Sequence, residues 1–490
     1  MQNLKHIKRI QYFLLLLLVG NLCTGCFTDK DDEVQTPTAS SIHDFIWKGL
    51  NAFYLYKEEV SDLQNDRFSS NEDYAAFLNG FTSPEEIFNA LRTKRIVGEI
   101  PVDDFSFLVD DYVALEQAFD GITKNHGMEY GLRIYDEDRD KSDDEIRKVY
   151  GYVRYVLPNT DASDKGIERG YIFSTINGAQ ITNKNFRQLG DLDSYTLGWA
   201  SYNNGNPESD GSTVSLSKVQ YTENPVFITK TIDIAGKKVG YLMYNSFTAD
   251  FDKKLNEAFG ELKAAGITDL VLDLRYNGGG SVRSAIDLSS MITGQFKDQI
   301  FTTEQWNDDR QEQFGSTNRF GDQLREDDIA INSLNLSEVY ILTSRSSASA
   351  SELVINALDP YITVKKIGTT TRGKFQASIT LYDTEGFGRN GAELAGHTYA
   401  MQPLVLKSIN SNGVTDYFAG FDPDIEIAEQ YDALGVLGDE NEPLLKAALD
   451  DITGTIAKSS KSNIDPFDHV KNFGDSKMFS PIYERMYKEN

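Results

Sequence analysis

A serine-rich run followed by an apolar stretch is the part of this chain best suited to chemistry. The sequence SRSSASASELVINAL, residues 344–358, places five serines within eight residues directly before an apolar segment that is typical of a helix. A serine hydroxyl can act as a nucleophile, and the first amides of a helix are free to bind an oxyanion. More commonly, such a loop only caps its helix. The run therefore predicts either a capped, solvated loop or a nucleophile at a helix start.

Two further segments carry groups that would complete a site. DLRYNGGG, residues 273–280, follows an apolar strand-like stretch, and its triple glycine can direct backbone amides into a cleft. GTTTRGK, residues 368–374, is a glycine-flanked turn after the strand-like ITVKKI, and it carries Lys374. In a domain that alternates strands and helices, loops at strand ends and helix starts are the usual places for catalytic groups.

Taken together, LDLRYNGGG, SSASASE and RGK resemble the C-terminal processing, or tail-specific, serine peptidases, and the resemblance covers about residues 42–453. It implies that the middle serine, Ser349, is the nucleophile and that Lys374 is the general base. It also implies an oxyanion hole made by the amide of Ala350 and one from the glycine loop, Gly279 by preference and Gly280 otherwise.

A lysine can serve as a base only when it is neutral, so burial must lower the pKa of Lys374 by several units. Arg372 would assist by like-charge repulsion if it pointed inward; the alternative is an exposed side chain with no such role. The family often has a glutamine four residues after the lysine, where this chain has Ser378, with Gln376 two residues after. Glu352 stands three residues after the nucleophile, as in the family. These last three residues are the candidates for a supporting role.

The elements that must position these residues change in kind along the chain. Apolar residues at three- and four-residue steps predict a helical N-terminal domain over residues 41–121, and Ser83 with Pro84 marks a helix start. Strands alternate with helices over residues 229–455, which predicts an α/β core. The resemblance implies a ClpP/crotonase-like serine protease core there. Residues 456–490 form a C-terminal extension without a recognisable motif. The fold class expected is multidomain α/β.

Between these parts, residues 128–228 are predicted to be rich in β-strands. The stretch GYVRYVLPNTDASDKGIERGYIFSTINGAQIT resembles a PDZ domain, a module that binds peptide C-termini by adding a strand and holding the carboxylate on backbone amides. YGLRIY stands where the carboxylate loop of that family would be, so Tyr130, Gly131 and Leu132 are its predicted residues. The alternative is a β-rich spacer that binds nothing.

The N-terminus has the pattern of an export signal. Basic residues precede the short apolar YFLLLLLVG, and LCTGC follows, which resembles the bacterial lipobox. The resemblance implies a signal peptide over residues 1–25, a lipid on Cys26 and an acidic tether over residues 26–40. A lipid-anchored protein of the bacterial cell envelope is therefore expected, either facing the periplasm or on the outer-membrane surface.

Composition narrows the partners further. A formal net charge of −27 argues against binding nucleic acid, which requires a concentrated basic surface. The two cysteines and five histidines show no ligand spacing, so neither a metal nor a cofactor is expected. The resulting hypothesis is an envelope serine endopeptidase that cleaves proteins or peptides near their C-termini through a Ser–Lys acyl-enzyme mechanism. The alternative is an inactive lipoprotein that binds peptides or ligands on the same fold.

Overall fold

A computed structural model describes residues 39–455 and 472–488 of the 490-residue chain. The predicted signal peptide, Cys26 and nearly all of the predicted tether lie outside the described residues. Within the described ranges, no helix is both long and apolar enough to cross a membrane.

The N-terminal part is built mainly of helices, as predicted. Its elements are α1 (Ala39–Phe53), α2 (Asn71–Leu78), α3 (Pro84–Ala90), β1 (Ile96–Val97), β2 (Ile100–Pro101), β3 (Phe107–Val109) and α4 (Tyr112–Phe119). The predicted start of α3 is confirmed, because the side chain of Ser83 accepts a hydrogen bond from the amide of Glu86 and Pro84 occupies the first helical position. The apolar face of α1 joins the same core as the helices that carry the serine loop.

The next part is a β-rich unit. Its elements are β4 (Ile122–Asn125), β5 (Met128–Ile134), β6 (Val149–Val156), α5 (Asp161–Asp164), β7 (Ile172–Ile176), β8 (Ala179–Gln180), α6 (Gln188–Asp191), β9 (Ser194–Ser201), β10 (Glu208–Ser217) and β11 (Val219–Thr222). Antiparallel pairs join β10, β9, β7, β6 and β5 in that order. The architecture changes near the predicted divisions, and the domain boundaries themselves stay a prediction.

The third part alternates strands and helices, which confirms an α/β core. Its elements are β12 (Val226–Ile234), β13 (Lys237–Tyr244), α7 (Asp252–Ala265), β14 (Asp269–Asp273), β15 (Gly280–Ser281), α8 (Val282–Thr293), β16 (Ile300–Trp306), α9 (Asp308–Phe314), β17 (Thr317–Arg319), β18 (Glu338–Thr343), α10 (Ala350–Leu358), β19 (Thr363–Gly368), β20 (Gln376–Ser378), β21 (Leu381–Tyr382), β22 (Ala400–Gln402), β23 (Leu404–Asn410), β24 (Ile425–Glu426) and α11 (Pro443–Thr453).

Two six-stranded sheets organise this core. In the first, the order is β12-β13-β14-β18-β19-β24, and every pair except β12 with β13 is parallel. The glycine loop follows β14 and the serine loop follows β18, its neighbour in the sheet. Because the carboxyl ends of parallel strands lie at one edge of a sheet, the two loops meet there.

The described part of the C-terminal extension adds a strand to each of two different sheets. β25 (Asn472–Asp475) pairs with β5 of the β-rich unit, and β26 (Met486–Tyr487) lies between β15 and β20 in the second six-stranded sheet. That sheet has the order β15-β26-β20-β23-β16-β17. The extension, for which the sequence predicted no role, therefore joins the β-rich unit to the core.

Candidate active site

Ser349 lies at the start of α10, the position that one of the two sequence interpretations required. Its backbone has φ of +65° and ψ of −113°, a conformation that costs a residue with a side chain about 1–3 kcal/mol. The residue is fully buried, and its Oγ has no hydrogen-bond partner among the described residues. Ala350 is the first residue of the helix, so its amide has no carbonyl one turn earlier to bind. A buried, unengaged hydroxyl beside a free amide suits nucleophilic attack better than capping.

Lys374 is completely buried, and burial lowers its pKa well below the ordinary value. The positive charge of Arg485 lowers it further, whereas Glu484, Asp103 and Glu352 act in the opposite direction. Its Nζ donates a hydrogen bond to the backbone carbonyl of Glu484 at 3.2 Å. Burial thus shifts the pKa of Lys374 in the direction that a lysine base requires, and its role as the base stays a prediction.

Glu352 joins the serine and lysine segments through a single carboxylate. It accepts hydrogen bonds from the backbone amides of Ser349 at 2.9 Å and Lys374 at 2.8 Å. The amide of Gly373 and the hydroxyl of Thr371 also donate to it, each at 2.6 Å. Burial raises the pKa of Glu352, and these four hydrogen bonds lower it. Glu352 thus positions both residues of the predicted dyad without itself being directed at a substrate.

The glycine loop passes so close to the serine that no side chain fits. Gly279 has φ of +105°, and a Cβ placed on it would lie 2.6 Å from Cβ of Ser349 and 2.9 Å from the amide nitrogen of Ala350. The amide of Gly279 donates to Oδ1 of Asn277 at 2.9 Å, so in this conformation it is not directed at a substrate oxygen. The preferred oxyanion donor is thus engaged elsewhere, and the alternative donor, Gly280, has φ of +137° beside the same site.

Gln376 and Ser378 are buried near Lys374, but their hydrogen bonds lead elsewhere. Nε2 of Gln376 donates to the hydroxyl of Tyr56 at 2.8 Å. Oγ of Ser378 donates to Oε1 of Gln402 at 2.5 Å and to the carbonyl of Met486 at 3.2 Å. Of the three residues predicted to support the site, only Glu352 accepts hydrogen bonds from the amides of Gly373 and Lys374, and the supporting role itself stays a prediction.

The prediction that Tyr130, Gly131 and Leu132 form a carboxylate-binding loop is wrong. They lie in the middle of β5, which pairs with β6 on one side and with β25 on the other. The amide of Tyr130 donates to Oγ of Ser476 at 3.0 Å. Apolar residues alternate along this segment, so it extends into the sheet, and a strand flanked on both sides has no free run of amides for a carboxylate.

The condition under which Arg372 would assist Lys374, an inward position facing the amine, is not met. Its guanidinium forms ion pairs with Glu484 and Asp104, each at 2.8 Å, so its charge is satisfied away from Lys374. The cation that lowers the pKa of Lys374 is Arg485 instead. Sequence reasoning missed Glu484 and Arg485, since they are 110 or more residues away along the chain and form no motif with RGK.

An open cavity of about 660 Å³ lies beside this site, between the β-rich unit and the core. Its walls include Glu129 and Tyr130 of β5, the glycines 278–280, and residues 475–477 and 479–484 of the C-terminal segment. Ser349 and Lys374 are not among the walls, whereas Glu484 is. An extended peptide could approach the glycine loop through this space.

Known proteins with similar sequences and folds include several proteases. The pattern of Peptidase family S41 matches residues 238–427, and that of the Peptidase S41 N-terminal domain matches residues 41–107. A carboxyl-terminal-processing protease of Picosynechococcus sp. is 26% identical over 243 residues, covering 49% of this chain and 51% of that protein. The chloroplastic C-terminal processing peptidase of Tetradesmus obliquus is 25% identical over 245 residues, covering 47% of this chain and 49% of that protein.

The chain spans about half the length of the curated relatives it matches. Among solved structures, a Bacteroides fragilis protein described as an S41 protease superposes with a TM-score of 0.61 at 27% identity. That match covers 84% of this chain and 98% of the other. The similarity therefore extends over the N-terminal helices, the β-rich unit and the core.

Proposed function

Because the chain belongs to peptidase family S41, we propose that it is a serine endopeptidase with Ser349 as nucleophile and Lys374 as general base. The observation that carries the proposal is the shared carboxylate of Glu352, which holds the backbones of both residues in one buried site. The arrangement supports an acyl-enzyme mechanism, and its substrates are proteins or peptides.

The geometry supports the following sequence of proton and bond changes. Oγ of Ser349 attacks a peptide carbonyl while its proton moves to the neutral Nζ of Lys374. The amide of Ala350, with one from the glycine loop, stabilises the negative charge on the carbonyl oxygen. The protonated lysine then gives its proton to the departing amine. Water hydrolyses the ester by the reverse proton path, with Lys374 again acting as the base.

We assign to the β-rich unit the peptide-holding role of a PDZ domain. Support comes from β25, which lies along β5 as an added antiparallel strand, the mode by which such domains hold peptides. The segment held there in this structure is internal to the chain rather than a free carboxyl end. On this proposal, a substrate segment takes the place of β25 along β5, and the β-rich unit holds it by its backbone and leads it toward Ser349.

We also propose that Cys26 carries a lipid that anchors the protein in the bacterial cell envelope. The support is the LCTGC sequence after a short apolar segment. Labelling cells with a fatty acid analogue should mark the wild-type protein and leave Cys26→Ser unlabelled. Equal labelling of both proteins would overturn the anchor without affecting the proposed chemistry.

The decisive experiment compares the chain from residue 27 onward with Ser349→Ala, Lys374→Ala and the exposed-serine control Ser337→Ala. Each is incubated with an unstructured protein that has an apolar C-terminus. Cleavage by the parent and by Ser337→Ala, but by neither dyad variant, supports the assignment. Cleavage that persists in both dyad variants overturns the assignment. Binding of the substrate without cleavage by the parent favours the alternative, an inactive peptide-binding lipoprotein.

A further inference from the structure

The C-terminal segment, residues 472–488, lies along both the β-rich unit and the candidate active site. At its first end, Asn472, Gly474 and Asp475 of β25 oppose Arg133, Leu132 and Gly131 of β5. The carboxylate of Asp475 pairs with Arg154 at 2.9 Å, and both side chains are almost fully buried. Removing either partner of such a pair leaves an uncompensated buried charge, so this contact fixes the register of the segment.

At its second end, the segment is held as a strand beside the catalytic loops. Met486 opposes Gly280 of the glycine loop, and Tyr487 opposes both Ser281 and Ser378. The amide of Lys488 donates to the carbonyl of Ser378 at 2.9 Å, and its Nζ pairs with the buried carboxylate of Glu304 at 2.8 Å. The backbone is therefore extended at Met486 and Tyr487, directly after a turn in which Glu484 has φ of +50°.

Between these two ends, one carbonyl group bonds to Lys374 and the next lies near Ser349 and Ala350. The carbonyl of Glu484 accepts from Nζ of Lys374 at 3.2 Å. A Cβ placed on Gly279 marks a point shared by three groups. It would lie 2.7 Å from the carbonyl oxygen of Arg485, 2.6 Å from Cβ of Ser349 and 2.9 Å from the amide nitrogen of Ala350. The Arg485 carbonyl thus lies beside both the nucleophile and the helix amide that would bind its oxygen.

The side chains of Glu484 and Arg485 also make charged and aromatic contacts with residues beside the site. Glu484 pairs with Arg372 at 2.8 Å, and Arg372 is held from its other side by Asp104. The guanidinium of Arg485 lies over the ring of Phe107, 4.5 Å from its centre. An acidic residue followed by a basic one is therefore recognised at this position by opposite charge and by an aromatic face.

From these contacts we propose that the C-terminal segment is bound as a substrate of its own active site, and that the Arg485–Met486 bond is a self-cleavage site. The proposal rests on the proposed peptidase function. Oγ of Ser349 attacks the carbonyl carbon of Arg485 as its proton moves to Lys374. The bond to the nitrogen of Met486 breaks, and that nitrogen takes the proton. Water then hydrolyses the ester, leaving a carboxylate on Arg485 and a new amino terminus at Met486.

The same contacts define the class of peptide that the site accepts. A substrate would lie along β15 and β20 in the place of β26, with an acidic residue before the cleaved residue and a basic one at it. As long as the segment stays in place, it occupies the position that another peptide needs. Self-cleavage therefore precedes cleavage of other proteins.

The test is the intact mass, under denaturing conditions, of the purified chain from residue 27 onward, beside Ser349→Ala and Ser337→Ala. The parent and Ser337→Ala should lack residues 486–490, and Ser349→Ala should retain them. An uncut C-terminus in a parent that cleaves an unstructured protein would overturn the inference and leave the peptidase function standing. A parent that cleaves neither itself nor another protein would overturn both.

A charge exchange tests the position of the segment. Glu484→Lys places two cations together and should slow self-cleavage about tenfold. Combining it with Arg372→Glu restores an ion pair and should recover most of the rate. Self-cleavage of Glu484→Lys at the parental rate would overturn the proposed pose.

Cleavage within one molecule also predicts that added parent protein leaves Ser349→Ala intact, because the C-terminal segment of that variant is held in its own site. Rapid removal of residues 486–490 from Ser349→Ala by the parent would contradict this.

Discussion

Nζ of Lys374 donates a hydrogen bond to the backbone carbonyl of Glu484, so the proposed general base is in direct contact with the chain's own C-terminal segment. The two residues are separated by 110 positions in sequence. The contact links the state of the base to the presence of a peptide, because burial is the main cause of the lowered pKa of Lys374 and Arg485 of the same segment is the second.

Replacing Glu352 with glutamine should reduce kcat by about a hundredfold and destabilise the fold by about 1–3 kcal/mol. A glutamine has one acceptor oxygen and would direct an NH₂ group at backbone amides that are themselves donors. Activity assays and urea unfolding measure the two effects. Glu312→Gln, on the exposed face of α9, is the matched control and should change neither.

If Glu352 only stabilised the fold, activity per folded molecule would be unchanged in Glu352→Gln. We expect instead that the pH dependence of kcat/KM shifts as well, because the lysine segment loses its support. A variant with parental pH dependence and parental kcat would contradict the positioning role.

Activity should rise with pH as Lys374 loses its proton, and it should level off well below pH 10.5, the ordinary pKa of a lysine. Only the neutral amine can accept the proton of Ser349, so activity increases with pH if Lys374 is the base. Lys374→Arg should be inactive at every pH, since arginine keeps its charge. Measuring kcat/KM from pH 5 to 10 tests this. A rate that falls over that range would contradict a lysine base.

Lys374→Met should be inactive and more stable than the parent at neutral pH. The unfolded chain binds a proton at Lys374 up to about pH 10.5, whereas the folded chain releases it at a much lower pH. The free energy of unfolding therefore increases with pH between the two pKa values of Lys374. At neutral pH, folding requires the buried amine to give up its proton, and an apolar residue removes that cost. Urea unfolding at pH 7 measures the change. A destabilised Lys374→Met would indicate that the lysine is charged when folded.

Gly279→Ala should abolish most activity and destabilise the protein by about 1–3 kcal/mol. The new methyl group would approach Ser349 and Ala350 too closely, and φ of +105° is unfavourable for alanine. Gly386→Ala is the control, because a Cβ there meets nothing within 4 Å and its φ is ordinary. Equal activities of the two variants would show that the glycine loop does not need this close approach.

Glu129, which lines the cavity, should make stability fall as pH rises toward neutrality. Burial raises its pKa to about 7 and Glu223 contributes, against the opposing effect of Lys477. The unfolded chain loses the Glu129 proton near pH 4.5, whereas the folded chain keeps it until about pH 7. The protonated carboxyl therefore contributes stability that is fully present below pH 4.5 and is lost as the pH rises to about 7. Unfolding of Glu129→Gln at pH 5 and pH 8 should show a smaller difference than the parent. Exposed Glu168→Gln should match the parent.

Local patterns correctly predicted the elements whose form depends on near neighbours. The cap by Ser83 and Pro84 and the serine loop leading into α10 both follow from contacts within four residues. The parallel order of β14 and β18 follows from strands that alternate with helices. These features are set by backbone preferences and apolar spacing, which a single sequence displays directly.

Assignments that depended on distant partners did less well. Arg372 could have repelled Lys374 from an inward position, yet it pairs with Glu484 and Asp104, which lie 112 and 268 positions away. Tyr130–Leu132 was expected to form a carboxylate-binding loop, yet it lies in β5 and the chain's own residues 472–475 pair with it as a strand. No periodicity or motif in the sequence marks such pairs, because they form only once the whole chain has folded.

By itself, the sequence determined the chemical groups: a serine at a helix start, a glutamate one turn later, a glycine loop and a lysine. The tertiary structure decided how these groups are buried, which of them lie together and in which direction the pKa of the lysine shifts. Burial of the Lys374 segment lowers the pKa of the amine, Glu352 joins segments that are 22 residues apart, and the C-terminal segment brings Arg485 to the nucleophile. Residue types and short spacings are local properties, whereas desolvation and long-range contact arise only from packing the whole chain.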